Sequence, residues 1–235
     1  MSIFVSELIG TFLLILFGNG VVANVVLQKT KGHNSGWVVV ALGWAMAVFV
    51  GVFASAKWSG AHLNPAVTVA LAYLQKVAWQ VVPQYIAGQF VGACAGAIAV
   101  WVVYKQHFDA TPDAGAKLAC FATGPALRSP FQNFLTEAII SFAFVLGVLF
   151  IIAPSNSLGA LDALPVALLV LAVGLCLGGP TGYAINPVRD LAPRIVHAVL
   201  PIKNKGTSDW RYAWVPVVGP MLGALLAAIL FKRLS

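Results

Sequence analysis

The residues of greatest chemical interest lie in one short stretch, GYAINPVRDLAPR, at residues 182–194. Arg189 and Asp190 stand together there, after a run from Ala163 to Val188 without any formal charge. Charged side chains beside long apolar runs are costly in a membrane and usually serve a function. Arginine offers five donors in a rigid fork and keeps its charge in proteins. The stretch therefore predicts a site that donates hydrogen bonds and repels cations.

The dipeptide Asn-Pro begins two short apolar segments, NPAVTVALAYL at 64–74 and NPVRDLAPRIVHAVL at 186–200. Asparagine is a strong N-cap and proline is favoured at the first helical position, so each dipeptide predicts the start of a helix. An 11-residue helix rises only about 16 Å, roughly half of the hydrocarbon core of a bilayer. The two segments are therefore expected to be re-entrant half-helices, whose non-helical backbone faces protein or a wet cavity.

The composition indicates a polytopic membrane protein. Of the 235 residues, 60% are hydrophobic and 9% are charged, whereas soluble domains carry about 25% charged residues. Six apolar runs reach the length of about 20 residues that a transmembrane helix needs. They are residues 4–27, 36–56, 82–104, 131–153, 162–181 and 212–231. The expected fold class is an all-α membrane protein with six transmembrane helices and two re-entrant half-helices.

The chain also repeats itself, because SELIGTFLLILFG at 6–18 is echoed by TEAIISFAFVLGV at 136–148. Each half then contains two spans, an Asn-Pro half-helix and a third span. An odd number of spans per half requires the halves to be inverted, which is an architecture of channels and transporters. We expect a single channel domain over residues 1–235. Its approximate parts are a first repeat at 1–104, a linker at 105–130 and a second repeat at 131–235.

The third span of each half carries small residues four positions apart. This spacing lets the backbones of neighbouring membrane helices approach closely. The small residues are Gly88, Gly92 and Gly96 in the first half and Gly219, Gly223 and Ala227 in the second. The spacing predicts that these two spans pack tightly within the bundle.

The inverted halves bring the N-termini of the two half-helices together near the middle of the membrane. Their unpaired N–H groups and helix dipoles create a positive potential there. Asn64 and Asn186 can cap their own helices through the side-chain oxygen and direct the NH2 group into the lumen. Such a site offers donors to water or a hydroxyl group and repels cations and hydronium. It predicts a conduction filter, not a catalytic centre.

The two boxes SGAHLNPAV and TGYAINPVR stand at matched positions of the two repeats. They resemble the aquaporin, or major intrinsic protein, family, and the resemblance covers essentially the whole chain. The second box departs from the family pattern at Val188, where alanine is usual. A larger apolar side chain there is expected to reshape the central constriction. The motif residues are Asn64, Pro65, Ala66, Asn186, Pro187 and Val188.

Within that family the pattern is similar to the glycerol facilitator branch, or aquaglyceroporins. Asp190 occupies a position where water-selective members usually have a small neutral residue. Trp44 lies 20 residues before the first Asn-Pro, in the register of the facilitator tryptophan. Gly174 lies 12 residues before the second, where water-selective channels place a histidine. Tyr183 stands where the facilitator usually has phenylalanine, and it adds a hydroxyl group.

The resemblance implies a role for each of these residues. The implied selectivity filter is Trp44, Gly174, Tyr183 and Arg189, with Gly174 leaving space for a three-carbon polyol. Glu7, Glu137, His62 and Asp190 are implied to be supporting residues, the two glutamates by accepting from N–H groups of the half-helix loops. Carbonyl groups that replace a solute's hydration shell are expected from Gly60, Ala61, His62, Gly178, Gly179 and Tyr183.

The function expected from this pattern is passive conduction of glycerol and other small neutral solutes, with water, dihydroxyacetone, urea and undissociated lactic acid as further solutes. The resemblance implies a homotetramer in the cell membrane, with lipid as its surroundings and no cofactor. A mainly water-selective channel is the close alternative. A proton-coupled transporter would need Glu7 or Glu137 on its pathway, and an enzyme would need an acid–base or nucleophile arrangement that we do not find. Neither metal nor nucleic acid is expected as a partner.

The membrane orientation is the point on which charge and resemblance disagree. The loops opposite the termini hold Lys29, Lys31, Lys105, Lys117, Arg128, Arg194, Lys203, Lys205 and Arg211. The terminal side holds Lys76, Lys232 and Arg233, with Lys57 at the interface. The positive-inside rule would therefore put the termini outside. The resemblance implies cytoplasmic termini, which is the orientation that we expect.

Overall fold

The computed structural model describes residues 1–152 and 161–234. Every regular element in those ranges is helical. The α-helices are α1 (Ile3–Val26), α2 (Trp37–Ser59), α3 (Pro65–Tyr73), α4 (Val82–Ala110), α5 (Ala114–Ala119), α6 (Pro130–Ile151), α7 (Leu164–Leu177), α8 (Pro187–Val199) and α9 (Val215–Leu234). The expected all-α membrane fold is confirmed.

Five of these helices, α1, α2, α4, α6 and α9, are long and apolar enough to cross a membrane. The remaining expected span, at 162–181, is the fifth in chain order. It is a helix of only 14 residues, α7, which rises about 21 Å. It stops at Gly178, ahead of Gly179 and Pro180, residues that disfavour a continuing helix. By contrast, α4 is longer than expected and continues six residues beyond the expected end at 104. The expected end of the fourth span at 153 lies outside the described residues.

The packing of the helices relates the two halves of the chain by an exchange of equivalent elements. In the first half α1 packs against α2 and α4, and in the second half α6 packs against α7 and α9. Each half-helix also packs against the last helix of the opposite half, α3 against α9 and α8 against α4. The two half-helices therefore hold the halves together as well as approaching each other.

Close backbone approach occurs where the small residues of α4 and α9 meet the first helix of their own half. A Cβ atom added at Gly92 would lie 2.3 Å from the carbonyl oxygen of Leu8. One added at Gly223 would lie 2.2 Å from the carbonyl oxygen of Ala138. Real Cβ atoms do not approach an oxygen so closely, so these contacts depend on glycine.

Both half-helices begin as their sequences suggest. The side-chain oxygen of Asn64 accepts from the backbone N–H of Ala66 at 2.9 Å. That of Asn186 accepts from the N–H groups of Val188 and Arg189 at 3.1 and 3.3 Å. In each case proline occupies the first helical position. The N-caps fix where the helices start, and thereby where their positive ends lie.

Two cations that the charge count placed in loops opposite the termini lie in the interior. Arg194 belongs to α8 and is fully buried, and Lys117 is 1% exposed. The ammonium group of Lys117 donates to the carbonyl oxygen of Lys203. Because neither charge reaches the surface, the excess of exposed cations on that side is smaller than the sequence indicated.

Candidate functional site

A cavity of about 620 Å³ runs between the two halves of the bundle. It extends from Asp162, at the beginning of the α7 region, to Trp44 and Arg189. One group of lining residues is apolar and comes from α2, α3, α6 and α7, among them Val48, Val52, Val67, Phe144, Val148 and Val170. The other group comes from the loops that lead into the half-helices, at 60–64 and 183–186. The cavity is therefore amphipathic along its length.

The two loops share an unusual backbone conformation. Ala61 and Leu63 have φ values of 52° and 50°, and Tyr183 and Ile185 have values of 39° and 45°. In each loop these residues stand three positions and one position before the capping asparagine. A non-glycine residue in the left-handed region costs about 1–3 kcal/mol and persists mainly at functional sites. Left-handed residues at every second position break the alternation of an extended strand, which lets successive carbonyl groups face one side.

The first loop is held by the buried carboxylate of Glu7. Its oxygens accept from the backbone N–H groups of His62 at 3.0 Å and Leu63 at 2.7 Å. The hydroxyl group of Ser59 and the amide of Gln89 donate to the same carboxylate at 2.5 and 2.8 Å. Every donor in this set is uncharged, so Glu7 serves as a multiple acceptor for a strained segment.

The second loop has the equivalent arrangement around Glu137. Its carboxylate accepts from the N–H groups of Ala184 at 2.9 Å and Ile185 at 3.2 Å. Glu137 is 1% exposed, and like Glu7 it is not among the described residues that line the cavity. Both glutamates therefore lie behind the loops and away from the path along the cavity.

The capping asparagines also join the two halves. The NH2 group of Asn64 donates to the carbonyl oxygen of Ile185 at 2.9 Å, and that of Asn186 donates to Leu63 at 2.8 Å. Each amide thus uses one of its two hydrogens on the opposite loop, which differs from the expectation that the whole NH2 group faces the lumen. Because both residues line the cavity, one hydrogen of each remains for a solute.

Arg189 lies over the indole ring of Trp44, with 4.1 Å between the guanidinium carbon and the ring centroid. Both side chains line the cavity, and both are less than a tenth exposed. Within the described residues Nη1 of Arg189 has no hydrogen-bond partner. The arrangement places an indole ring and a guanidinium group at the same part of the cavity.

The ring of Tyr183 fills the space that Gly174 leaves. A Cβ atom added at Gly174 would lie 3.0 Å from both Cζ and Oη of Tyr183. The ring also lies edge-on to Trp37, whose indole nitrogen donates to the carbonyl oxygen of Gly174 at 2.9 Å. Tyr183 lines the cavity and Gly174 does not, so the glycine accommodates the tyrosine and not the solute directly. The hydroxyl group of Tyr183 has no partner within the described residues.

The other expected site residues differ in whether they line the cavity. Of the residues whose carbonyl groups were expected to line it, four do so, namely Gly60, Ala61, His62 and Tyr183. Gly178 is buried beside Tyr183 and Gly179 is exposed, and neither is among the described lining residues. The remaining motif residues are buried behind the loops, namely Pro65, Ala66, Pro187 and Val188. The ring of His62 bonds to Thr68 at 3.1 Å and stacks on Tyr85.

Asp190 does not pair with its neighbour Arg189. It forms a fully buried ion pair with Arg194, with 2.7 Å between Nε and Oδ1, and it accepts two hydrogen bonds from Thr123. Sequence reasoning missed both partners. Asp190 and Arg194 are four residues apart on one helix, and this spacing could have identified them as a pair. No comparable signal exists for Thr123, which is 67 residues away.

Lys205 is a further residue whose role the sequence did not indicate, since its loop was expected to be solvated. Its ammonium group donates to the carbonyl oxygens of His197, Ala198 and Leu200 at 2.6–2.7 Å. These groups lie at the C-terminal end of α8, where a cation stabilises the negative end of the helix dipole. Lys205 therefore caps the C-terminal end of α8, the half-helix that carries Arg189.

Comparison with known proteins agrees with this geometry. A family model described as Major intrinsic protein matches residues 1–231. The chain belongs to the major intrinsic protein family. It is 52% identical over 234 residues to a probable glycerol uptake facilitator protein of Thermotoga maritima, with all of both chains covered. It is 50% identical to a glycerol uptake facilitator protein of Bacillus subtilis, over 99% of this chain and 84% of that protein.

A solved structure is similar throughout the chain. The X-ray structure of the aquaglyceroporin from Plasmodium falciparum superposes with a TM-score of 0.88 at 31% sequence identity. The match covers 98% of this chain and 94% of that one. The inverted arrangement of half-helices is therefore that of the aquaporin fold.

Proposed function

We propose that this chain is a passive membrane channel for glycerol and other small neutral solutes, and that it also conducts water. The observation that carries the proposal is the cavity with one apolar side and one side formed by the two half-helix loops, where Trp44, Tyr183 and Arg189 are lining residues. The names of the relatives from Thermotoga maritima and Bacillus subtilis support glycerol as the leading solute. Dihydroxyacetone, urea and undissociated lactic acid belong to the same class of small neutral molecules.

The selectivity filter of the proposal consists of Trp44, Tyr183 and Arg189, with Gly174 as the position that accommodates Tyr183. A polyol has a carbon backbone and a row of hydroxyl groups, so it matches a cavity with one apolar and one polar side. The indole face contacts the carbon backbone, while Arg189 donates to hydroxyl oxygens. Carbonyl groups of Gly60, Ala61, His62 and Tyr183 accept from the hydroxyl hydrogens. These contacts replace the hydration shell and keep the barrier for a neutral solute low.

Ions are excluded in this proposal by three sources of positive potential. The N-terminal ends of α3 and α8 face each other through their capping asparagines, and each end carries about half a positive charge. The guanidinium group of Arg189 adds a full charge nearby. A cation or hydronium ion that enters must lose water in a region of positive potential, and neither loop, at 60–64 or 183–186, holds an acidic residue that would offset it.

Passive conduction is favoured over proton coupling by the position of the acidic residues. Glu7 and Glu137 accept hydrogen bonds from the strained loops and stand behind them. A transporter coupled through either glutamate would need the solute or proton path to reach it. The carboxylate among the described lining residues is Asp162, at the beginning of the α7 region and outside both loops. The water-selective alternative differs from our proposal only in the width of the filter, so flux measurements decide between them.

The experiment is stopped-flow light scattering on proteoliposomes of the purified chain, with empty vesicles as the control. Fast glycerol flux that is linear in the gradient and insensitive to pH and proton ionophores is the expected result. Fast water flux with background glycerol flux would replace the proposal with the water-selective channel. Saturable flux that depends on a proton gradient would replace it with the transporter.

We further propose that the chain is one domain of two inverted repeats that assembles into a homotetramer in the cell membrane, with cytoplasmic termini. The burial of Arg194 and Lys117 supports this orientation, because it removes two cations from the side that the charge count favoured as cytoplasmic. Crosslinking and size determination in lipid nanodiscs test the assembly. Labelling of cysteines introduced near either terminus of a cysteine-free variant tests the orientation.

A further inference from the structure

The carboxylate of Asp190 accepts four hydrogen bonds from two residues. Its Oδ2 accepts from the backbone N–H and the hydroxyl group of Thr123, both at 2.7 Å. Arg194 donates to Oδ1 through Nε at 2.7 Å and to Oδ2 through Nη2 at 2.9 Å. Asp190 and Arg194 are completely buried. The partner that the structure shows in an ion pair with this carboxylate is Arg194 and not the neighbouring Arg189.

Arg194 extends the same cluster to two loops. Its Nη2 donates to the carbonyl oxygen of Thr123 at 2.9 Å, and its Nη1 donates to those of Ser208 and Asp209 at 2.8 and 3.2 Å. The hydrogen bonds of this guanidinium group go to the carboxylate of Asp190 and to the carbonyl oxygens of Thr123, Ser208 and Asp209. The α8 helix is therefore fastened to the segment at 120–129 and to the segment before α9.

The segment at 120–129 also touches the loop that carries Tyr183. The backbone N–H of Ala126 donates to the carbonyl oxygen of Pro180 at 2.9 Å. A Cβ atom added at Gly182, which has a φ of 81°, would lie 3.4 Å from the side chain of Thr123. Thr123 thus lies between the residue before Tyr183 and the residue after Arg189.

The ion pair of Asp190 and Arg194 affects the electrostatic potential at Arg189. Asp190 and Arg194 cancel each other at hydrogen-bonding distance, so Arg189 remains the uncompensated charge of α8 near the cavity. If Asp190 lost its partner, its charge would act on the same region with little screening, because the surroundings have a low dielectric constant. The positive potential at Arg189 would then fall.

We propose that Thr123 and Arg194 are positioning residues for the filter, which fasten α8 to the segment at 120–129 and keep Asp190 from cancelling the charge of Arg189. The inference rests on the proposed channel function, because it concerns the selectivity of the same cavity. It assigns selectivity to two residues that do not line that cavity.

The experiment compares variants of the full chain in proteoliposomes by three readouts. These are glycerol permeability, water permeability and proton leak, the last from a pH-sensitive dye trapped in the vesicles. The variants are Thr123→Val, Thr123→Ser, Arg194→Gln and the double variant Asp190→Asn with Arg194→Gln. The matched control is Lys105→Gln, because Lys105 forms an exposed ion pair with Asp109 that does not involve the cluster. Fluxes are normalised to the amount of reconstituted protein.

We expect Arg194→Gln to raise the proton leak about tenfold and to lower the ratio of glycerol to water permeability, since a small displacement of positioned groups costs up to about 100-fold. The double variant removes both charges and should return the leak toward that of the wild type. Thr123→Val should lower the permeability ratio, and Thr123→Ser should keep it, because serine retains the hydroxyl donor. Lys105→Gln should match the wild type.

The inference would be overturned if folded Arg194→Gln kept the wild-type ratio of glycerol to water permeability and the wild-type proton leak. A double variant that leaks protons as much as Arg194→Gln alone would also overturn it. If Arg194→Gln does not fold, the double variant and the two Thr123 variants decide. Equal ratios for valine and serine at position 123 would then reject the positioning role. A wild-type chain without glycerol flux would instead reject the proposed function.

Discussion

Replacement of Gly174 by alanine tests the filter most directly, because the structure gives the distances involved. The added Cβ atom would lie 3.0 Å from Cζ and Oη of Tyr183 and 3.3 Å from Cβ of Ala41. Ordinary carbon contacts lie at about 3.5–4.0 Å, so the tyrosine ring must move by about 0.5–1 Å. Gly178 and Trp37 stand against the ring on another side. The ring is therefore expected to move toward the cavity.

The magnitude follows from the cost of passing a narrowed filter. Overpacking of a fitted site costs about 1–3 kcal/mol. If glycerol meets about 1–2 kcal/mol of this in the filter, its permeability falls about 5- to 30-fold, since each 1.36 kcal/mol is a factor of ten in rate. Water is smaller and should lose less. The ratio of glycerol to water permeability is therefore the quantity to measure, by stopped-flow light scattering on proteoliposomes.

Gly20→Ala is the matched control, because it adds the same methyl group to a membrane helix where no atom lies within 4 Å of it. It should leave both permeabilities unchanged. In Gly174→Ala, the further change Tyr183→Phe removes one of the two 3.0 Å contacts and should restore part of the glycerol flux. A folded Gly174→Ala with the wild-type permeability ratio would refute the reasoning, as would equal losses of glycerol and water flux.

Three other substitutions or treatments have definite expected outcomes. Arg189→Val should loosen solute selectivity and admit a proton or cation leak, measured with dyes in proteoliposomes; unchanged selectivity would reject the filter assignment. Gly223→Leu should abolish folding or strongly lower thermal stability in detergent, because even a Cβ atom would lie 2.2 Å from the carbonyl oxygen of Ala138, whereas Gly20→Leu should be tolerated. Thiol-blocking reagents should leave the flux intact if the cysteines are packing residues, and a large inhibition would show that one of them affects the path. The cysteines are Cys94, Cys120 and Cys176.

The parts of the fold that depend on local signals could be predicted closely. The N-caps Asn64 and Asn186 and the prolines that follow them determine where α3 and α8 begin. The observed half-helices, Pro65–Tyr73 and Pro187–Val199, differ from the predicted segments by one residue at each end. The glycines of α4 and α9 indicated close packing because a four-residue spacing lies on one face of a helix. In each case the information lies within a few neighbouring residues.

The contacts that complete the candidate site are non-local, and the sequence alone could not supply them. Tyr183 fills the space at Gly174 only because the loop after α7 folds back along that helix. The hydrogen bonds that join Asn64 to Ile185 cross between the two halves of the chain. Arg194 lies in the predicted half-helix at 186–200 and was counted among the loop cations opposite the termini, whereas it is fully buried. Its partner Asp190, four residues earlier, makes burial possible.

The two halves use the same backbone for different purposes, and this explains why the charged residue of the candidate filter lies in only one of them. Both loops have left-handed residues at matched positions and a buried glutamate behind them. At the fourth position after the asparagine, however, the first half has Thr68, which belongs to a neutral network with His62, and the second has Asp190. A charged filter residue needs a neighbouring ion pair that does not cancel it, and the second half alone has one among the described residues. In our proposal the paired half-helix ends and Arg189 set the barrier to ions, whereas Trp44 of the first half and Tyr183 and Arg189 of the second set the choice among neutral solutes.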